Sequence, residues 1–302
     1  MDYRMLGRSD LRVSSIGLGG ATFGREIDES TAFAVLDRAL ERGVALFDTA
    51  EAYSAGRSEE ILGAWVASRG VRDQIVLASK VAPPLGGARV VESAEASLRR
   101  LRVETIDLLQ LHSWDPRTPL EETLAALDAL VRAGKVRYAG CSNFAAWQLC
   151  KALWRQDARG WPRLESAQPV YNLALREVER ELLPLCADQE IGVITYSPLG
   201  AGFLTGKYHR GGPVPGGTRF AIVPAHQQIY FNDACFDAME RLRAASDALG
   251  VPMARLGLAW VLGRPGVTAT LVGARSAEQV DQAFQADALA REEQVRSVFE
   301  NL

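Results

Sequence analysis

An aspartate, a tyrosine, a lysine and a histidine (Asp48, Tyr53, Lys80 and His112) each stand at or just beyond the end of a short apolar run. Singly, each has an ordinary explanation. An aspartate there caps the next helix, a lysine is solvated, a lone histidine is structural, and a tyrosine is a half-buried ring with a wet hydroxyl. Together they have a task. A phenol with a pKa of about 10 is a poor proton donor at neutral pH, but a nearby ammonium stabilises the phenolate and lowers that value. Lys80 can supply the charge, Asp48 can hold Lys80 as an ion pair, and His112 can hydrogen-bond and orient a carbonyl oxygen. Such a set protonates an oxygen on which negative charge develops, as carbonyl reduction requires once a hydride arrives. No side chain donates hydride, so a nicotinamide cofactor is expected.

The elements that must position these residues are legible from periodicity. Short apolar runs recur at Ile16–Leu18, Val44–Phe47, Ile75–Ala78, Ile106–Leu111, Val136–Ala139, Leu164–Ala167, Ile191–Thr195 and Thr268–Val272. Runs of this length, with Gly or charge at their ends, read as buried strands. Amphipathic segments separate them. Leu120, Leu124, Leu127 and Val131 share one stripe, with Thr118 as the expected cap, Pro119 at the first helical position, Glu121 completing a capping box and Gly134 at the stop. Asp28 before the Ala32, Leu36 and Leu40 stripe, with Gly43 after it, repeats the scheme. Eight such units predict parallel strands with right-handed crossovers. An open doubly wound sheet is possible, but eight units without a composition break favour a closed (β/α)8 TIM barrel over residues 1–302 as one domain. Met1 to about Ser15 reads as an N-terminal β-hairpin plugging one end. A Gly- and Pro-rich stretch from Gly206 to Asn232 and paired helices from Asp233 to Leu262 fall outside the rhythm. In such a barrel the strand C-termini face one bowl, which also receives Ser142, Asn143, Gln168, Tyr196 and Ser197.

Composition narrows the function. The chain has 302 residues, 48% hydrophobic and 24% charged, with 34 Lys and Arg against 37 Asp and Glu. It should fold without disulfides or metals, and a formal charge of −3 leaves no electrostatic footprint for nucleic acid or an anionic membrane. No signal peptide or membrane span is expected. Cys141, Cys150, Cys186 and Cys235 lack metal or CxxC spacing and read as free thiols in a reducing cytoplasm.

Several motifs carry a family resemblance. They are Asp48-Thr49-Ala50 with Tyr53, Lys80, and Leu111-His112 followed by Asp115. Next come Gly134-Lys135-Val136-Arg137 through Gly140-Cys141-Ser142-Asn143-Phe144, then Gln168 with Tyr171-Asn172, and Tyr196-Ser197-Pro198-Leu199. Leu204-Thr205-Gly206-Lys207-Tyr208 and Gly273-Ala274-Arg275-Ser276 follow. In this order, over nearly the whole chain, they resemble the aldo-keto reductase superfamily, and most closely its bacterial branch related to potassium channel β-subunits. The resemblance implies NADPH-dependent reduction of aldehydes or ketones, or the reverse oxidation of an alcohol. Tyr53 would be the general acid, Lys80 and Asp48 its tuning pair, and His112 the carbonyl-orienting group. Ser142, Asn143 and Gln168 would bind the carboxamide, with Asp48 beside them, and Tyr196 would stack on the nicotinamide. Gly20, Ala21 and Thr22 would lie near the nicotinamide ribose. Ser197, Leu199, Gly202 and Lys207 would lie along the pyrophosphate. Gly273, Arg275 and Gln279 would take the adenosine end, with Arg275 suited to a 2′-phosphate, which favours NADP over NAD. Loops near Phe23, Trp114 and 206–232 would shape the substrate pocket.

Other classes are weaker. Gly17, Gly19 and Thr22 occupy the glycine positions of GxGxxG, so the third glycine is absent. There is no Tyr-x-x-x-Lys, HExxH or GxSxG, which disfavours short-chain dehydrogenase, metal and serine-hydrolase readings. A Schiff-base lyase using Lys80, and an NADPH-binding regulator with slow turnover, are the competing readings.

Overall fold

The computed structural model describes residues 1–300 and 302. Its first strands, β1 (Tyr3–Met5) and β2 (Arg12–Ser14), form an antiparallel hairpin. The eight expected runs follow as β3 (Ile16–Gly19), β4 (Leu46–Asp48), β5 (Val76–Val81), β6 (Ile106–Leu111), β7 (Val136–Ser142), β8 (Leu164–Gln168), β9 (Gly192–Thr195) and β10 (Ala269–Val272). They close into a parallel barrel in the order β10-β3-β4-β5-β6-β7-β8-β9, which rules out the open sheet. Around it run α1 (Glu29–Glu41), α2 (Arg57–Arg69), α3 (Gly87–Leu101), α4 (Leu120–Arg132), α5 (Ala146–Arg159) and α6 (Leu182–Asp188). Between β9 and β10 lie two short helices, α7 (Arg219–Ile222) and α8 (Ala225–Tyr230), then the expected pair α9 (Asp233–Leu249) and α10 (Met253–Leu262). The chain ends with α11 (Ala277–Leu289) and α12 (Glu293–Phe299).

Alternation along the strands divides the barrel in depth. Side chains two apart share a face. On the inner face Leu46, Val76, Ala78, Leu108, Ile194, Ala269 and Leu271 pack with Leu6, Leu11 and Val13 of the hairpin, so the hairpin plugs the N-terminal end with apolar surface. Further along, the inner face turns polar, at Asp48, Lys80, Gln110, Ser142, Ser166 and Gln168, all buried. The register holds these in level rows. Lys80 pairs with Gln110, Gln110 with Gly140, Gly140 with Ser166, and Ser142 with Gln168. Gly140 is required there: a Cβ would meet Ser166 Oγ at 2.1 Å. The outer face, with Phe47, Leu77, Leu109 and Leu111, packs beneath the helices.

Local chemistry sets the helix ends. Asp28 caps α1, accepting from Thr31 N at 2.9 Å, and Gly43 and Gly134 take the left-handed conformations expected after α1 and α4. The expected cap of α4 is overturned. The helix starts at Leu120 with Pro119 as N-cap and no side-chain capping bond. Thr118 instead donates to Asp115 at 2.7 Å, because the buried Asp115 carboxylate organises the loop, also accepting from Leu85 N and Arg117 N. The stretch 206–232 is not bare loop. Tyr208, Phe220 and Tyr230 bury their rings against Phe203, with Phe220 and Tyr208 stacked at 4.6 Å between centroids. All four cysteines are free thiols, and among the described residues no helix is long and apolar enough to cross a membrane.

Candidate active site

The end of β4, the turn after it, the end of β5 and the residue after β6 bring Asp48, Tyr53, Lys80 and His112 together. Lys80 is fully buried. Its Nζ donates to the Asp48 carboxylate, to Thr49 O at 2.9 Å and to Tyr53 Oη at 3.3 Å, which uses all three ammonium protons. Burial by itself would lower the Lys80 pKa; the Asp48 carboxylate, helped by Tyr53, outweighs it and holds the group above its ordinary value. The ammonium therefore stays charged. The second Asp48 oxygen accepts from Gln168 Nε2 at 3.0 Å and Gln110 Nε2 at 3.3 Å, and Gln110 accepts in turn from Ser166 Oγ at 3.3 Å.

His112 stands edge-on to the Tyr53 ring, with centroids 5.7 Å apart at 81°. Burial and the Lys80 charge depress its pKa to about 4, so the imidazole is neutral at physiological pH. It can donate one N–H without adding positive charge to the bowl. Asn143, in a left-handed conformation, donates from Nδ2 to His112 O at 3.0 Å and accepts from Tyr196 Oη at 2.8 Å. Ser142 Oγ donates to Gln168 O at 2.7 Å.

A second cluster extends from the bowl between the β3–α1 loop and the stretch after β9. Thr22 Oγ1 donates to Ala274 O at 3.2 Å, which joins the ends of β3 and β10 beside Gly20, Ala21 and Gly273. Gln279 Oε1 accepts from Arg275 N at 2.8 Å, leaving the Gln279 amide protons free of that bond. Lys207 lies against Gly202, where a Cβ would meet its Nζ at 2.9 Å. Burial and the Arg275 charge lower its pKa. Arg219 is depressed likewise by burial, then by Arg25 and also by Arg275, and His226 by burial, Arg219 and Arg25. Ser197 O accepts from Asn172 Nδ2 at 3.0 Å, and Leu199 O from Gly202 N at 3.0 Å, which fixes the turn leading to Lys207.

The Arg275 charge contributes to lowering both Lys207 and Arg219, and an anionic group such as a dinucleotide's phosphates would offset that gathered positive charge. Gln168 Oε1, at the bowl, suits a carboxamide. A separate cleft of about 490 Å³ at the other end of the barrel, lined by Arg4, Arg264 and Arg291 with Asp2 and Asp287, holds none of these residues.

Sequence reading had not singled out Gln110, Arg25, Glu26, Arg219 or His226. Gln110 carries a usable signal, since it lies two residues before His112 on the inner face. Arg219 lies in a stretch without periodicity, so only the folded chain shows it donating to Glu26, which also takes Arg25 at 2.8 Å.

A closed parallel barrel with a buried lysine–aspartate pair and a tyrosine at its mouth defines a class of oxidoreductase, and the comparisons agree. The family model described as aldo/keto reductase family matches residues 15–298, and the chain belongs to that family. It is 37% identical to an uncharacterized oxidoreductase, YrpG, of Bacillus subtilis, covering 98% of this chain and 94% of that protein. It is 35% identical to the aldo-keto reductase YhdN of the same organism, over 93% and 87%. A probable voltage-gated potassium channel subunit beta of Arabidopsis thaliana is 34% identical over 95% and 91%.

Proposed function

We propose that the chain is an NADPH-dependent carbonyl reductase acting on small aldehydes or ketones, or on the alcohol in reverse, with Tyr53 as general acid. One observation carries this reading: a fully buried ammonium bonded at once to Asp48 and to the Tyr53 hydroxyl.

When bound, the reduced nicotinamide supplies the hydride to the carbonyl carbon. The protein's part is to place the carbonyl and manage its proton. His112, neutral, donates a hydrogen bond that orients the carbonyl oxygen at the mouth. Tyr53 gives its proton to that oxygen as charge develops, and Lys80, 3.3 Å away, stabilises the phenolate left behind. Asp48 keeps Lys80 in place, and Gln110 and Gln168 keep Asp48 in place. In the reverse direction Tyr53 takes the proton back.

Ser142, Asn143 and Gln168 would hold the carboxamide, with Tyr196 against the ring. Gly20, Ala21 and Thr22 would flank the nicotinamide ribose, and Ser197, Leu199, Gly202 and Lys207 the pyrophosphate. Gly273, Arg275 and Gln279 would hold the adenosine end, with Arg275 favouring a 2′-phosphate. The four free thiols support a cytoplasmic setting, and the shared packing of barrel and helices supports one domain.

The Schiff-base reading needs a neutral lysine, yet Lys80 is held protonated by three bonds, so borohydride should trap no substrate on it. The regulatory reading is favoured only by the names of the channel-subunit relatives. The test is a panel of carbonyl compounds followed by NADPH absorbance, with NADH in parallel. Rapid multiple turnover with a reactive aldehyde supports the reductase; a single slow turnover across the panel overturns it in favour of the regulatory reading.

A further inference from the structure

The turn that carries Tyr53 is under backbone strain. Ser54, Ala55 and Gly56 follow it with φ of 51°, 53° and 91°, a left-handed run in which the first two residues have side chains that disfavour it. Something must hold it. At its start Ser54 Oγ donates to Phe23 O at 2.9 Å. At its end Gly56 packs on Arg100 of α3, so closely that a Cβ would meet Arg100 Cδ at 2.8 Å. Arg100 is itself anchored: its Nε donates to Glu59 Oε2 at 2.6 Å, and Glu59, on the first turn of α2, is fully buried. The other Glu59 oxygen accepts from Ser79 Oγ at 2.5 Å. Ser79 is the outward-facing neighbour of Lys80 on β5.

We infer that Glu59 and Arg100 are positioning residues for the reaction. The Glu59 carboxylate joins the strand that carries Lys80 to the guanidinium that backs the Tyr53 turn, and so sets the separation of Tyr53 Oη from Lys80 Nζ. Glu59 touches neither substrate nor cofactor. It acts from the outer face of the barrel, through Ser79 on one oxygen and Arg100 on the other. A carboxylate is needed because the two bonds fall on its two different oxygens, and an amide in its place would turn an NH2 toward one of the two donors. The inference rests on the assignment of Tyr53 as proton donor.

The experiment compares Glu59→Gln, Arg100→Ala, Arg100→Lys and Gly56→Ala with Tyr53→Phe, using NADPH and a reactive aldehyde, with NADPH affinity read by fluorescence. A displacement of about 1 Å between reacting groups costs about 100-fold in rate. Glu59→Gln and Arg100→Ala should each lower kcat by about 10- to 100-fold, leave NADPH affinity within about twofold, and move the pH profile of kcat. Arg100→Lys should retain more activity than Arg100→Ala, and the double variant Glu59→Gln/Arg100→Ala should be no worse than the more damaging single one, because both break one linkage. Unchanged kcat and pH profile in Glu59→Gln, with turnover abolished in Tyr53→Phe, overturns the inference and leaves the reductase reading standing. Full turnover in Tyr53→Phe overturns both. Should Glu59→Gln fail to fold, Gly56→Ala moves the turn without touching the carboxylate, and normal kcat in a folded Gly56→Ala likewise overturns the inference.

Discussion

His112 is neutral at pH 7 because burial, and then the Lys80 charge, hold its pKa near 4. A neutral donor can orient a carbonyl without competing with Tyr53 for the role of acid. The same depression links pH to stability. Between an unfolded value of about 6.5 and the folded value, the unfolded chain binds the proton and the folded chain does not, so stability falls as pH drops through that window. Urea unfolding of wild type and His112→Gln between pH 4 and 7 should show a steeper acid loss in wild type; parallel curves would contradict the depressed pKa. Tyr53→Phe keeps the ring against His112 and removes only the hydroxyl. It should lower kcat by about 100- to 10,000-fold while NADPH affinity stays near wild type. Arg275→Ala should weaken NADPH at least about tenfold more than NADH, measured by fluorescence titration. Equal weakening would remove Arg275 from the 2′-phosphate.

Strands do the finer positioning. Because alternate residues share a face, a run that is apolar at its base and polar at its tip delivers Leu46 to the plug and Asp48 to the bowl. The eight runs were legible because short apolar stretches end in Gly or charge, and the helix ends at Asp28, Gly43 and Gly134 because those residue types suit caps and left-handed stops. The α4 cap was not. Thr118 has the right type and spacing, but a buried carboxylate three residues earlier competes for its hydroxyl, and local sequence does not rank such partners. Register also explains why Gly140 cannot carry a side chain. Gly140→Ala should destabilise the chain by about 1–3 kcal/mol, because its Cβ would displace Ser166 beneath the Gln110–Asp48 contact. Thermal unfolding followed by circular dichroism reads this directly, and an unshifted Tm would mean that β7 and β8 can separate freely.

Across the whole molecule, stability and chemistry occupy opposite ends of the barrel. The hairpin seals the base through Leu6, Leu11 and Val13, far along the strands from Tyr53. Leu11→Ala should therefore cost about 2–5 kcal/mol in denaturant unfolding with kcat/KM unchanged in the folded fraction. A matching fall in kcat/KM would show that the two ends are coupled. The order of residue types along the chain was enough to specify eight alternating runs, their helices and the four groups at neighbouring strand ends, since periodicity and capping act over a few residues and survive without context. Closure of the barrel made the rest. Gln110 meeting Asp48, Arg219 reaching Glu26, and Glu59 bridging Ser79 to Arg100 all join positions distant in sequence. Such pairings depend on register, burial and the competition among neighbours for each polar atom, quantities that come into being only when the strands have met.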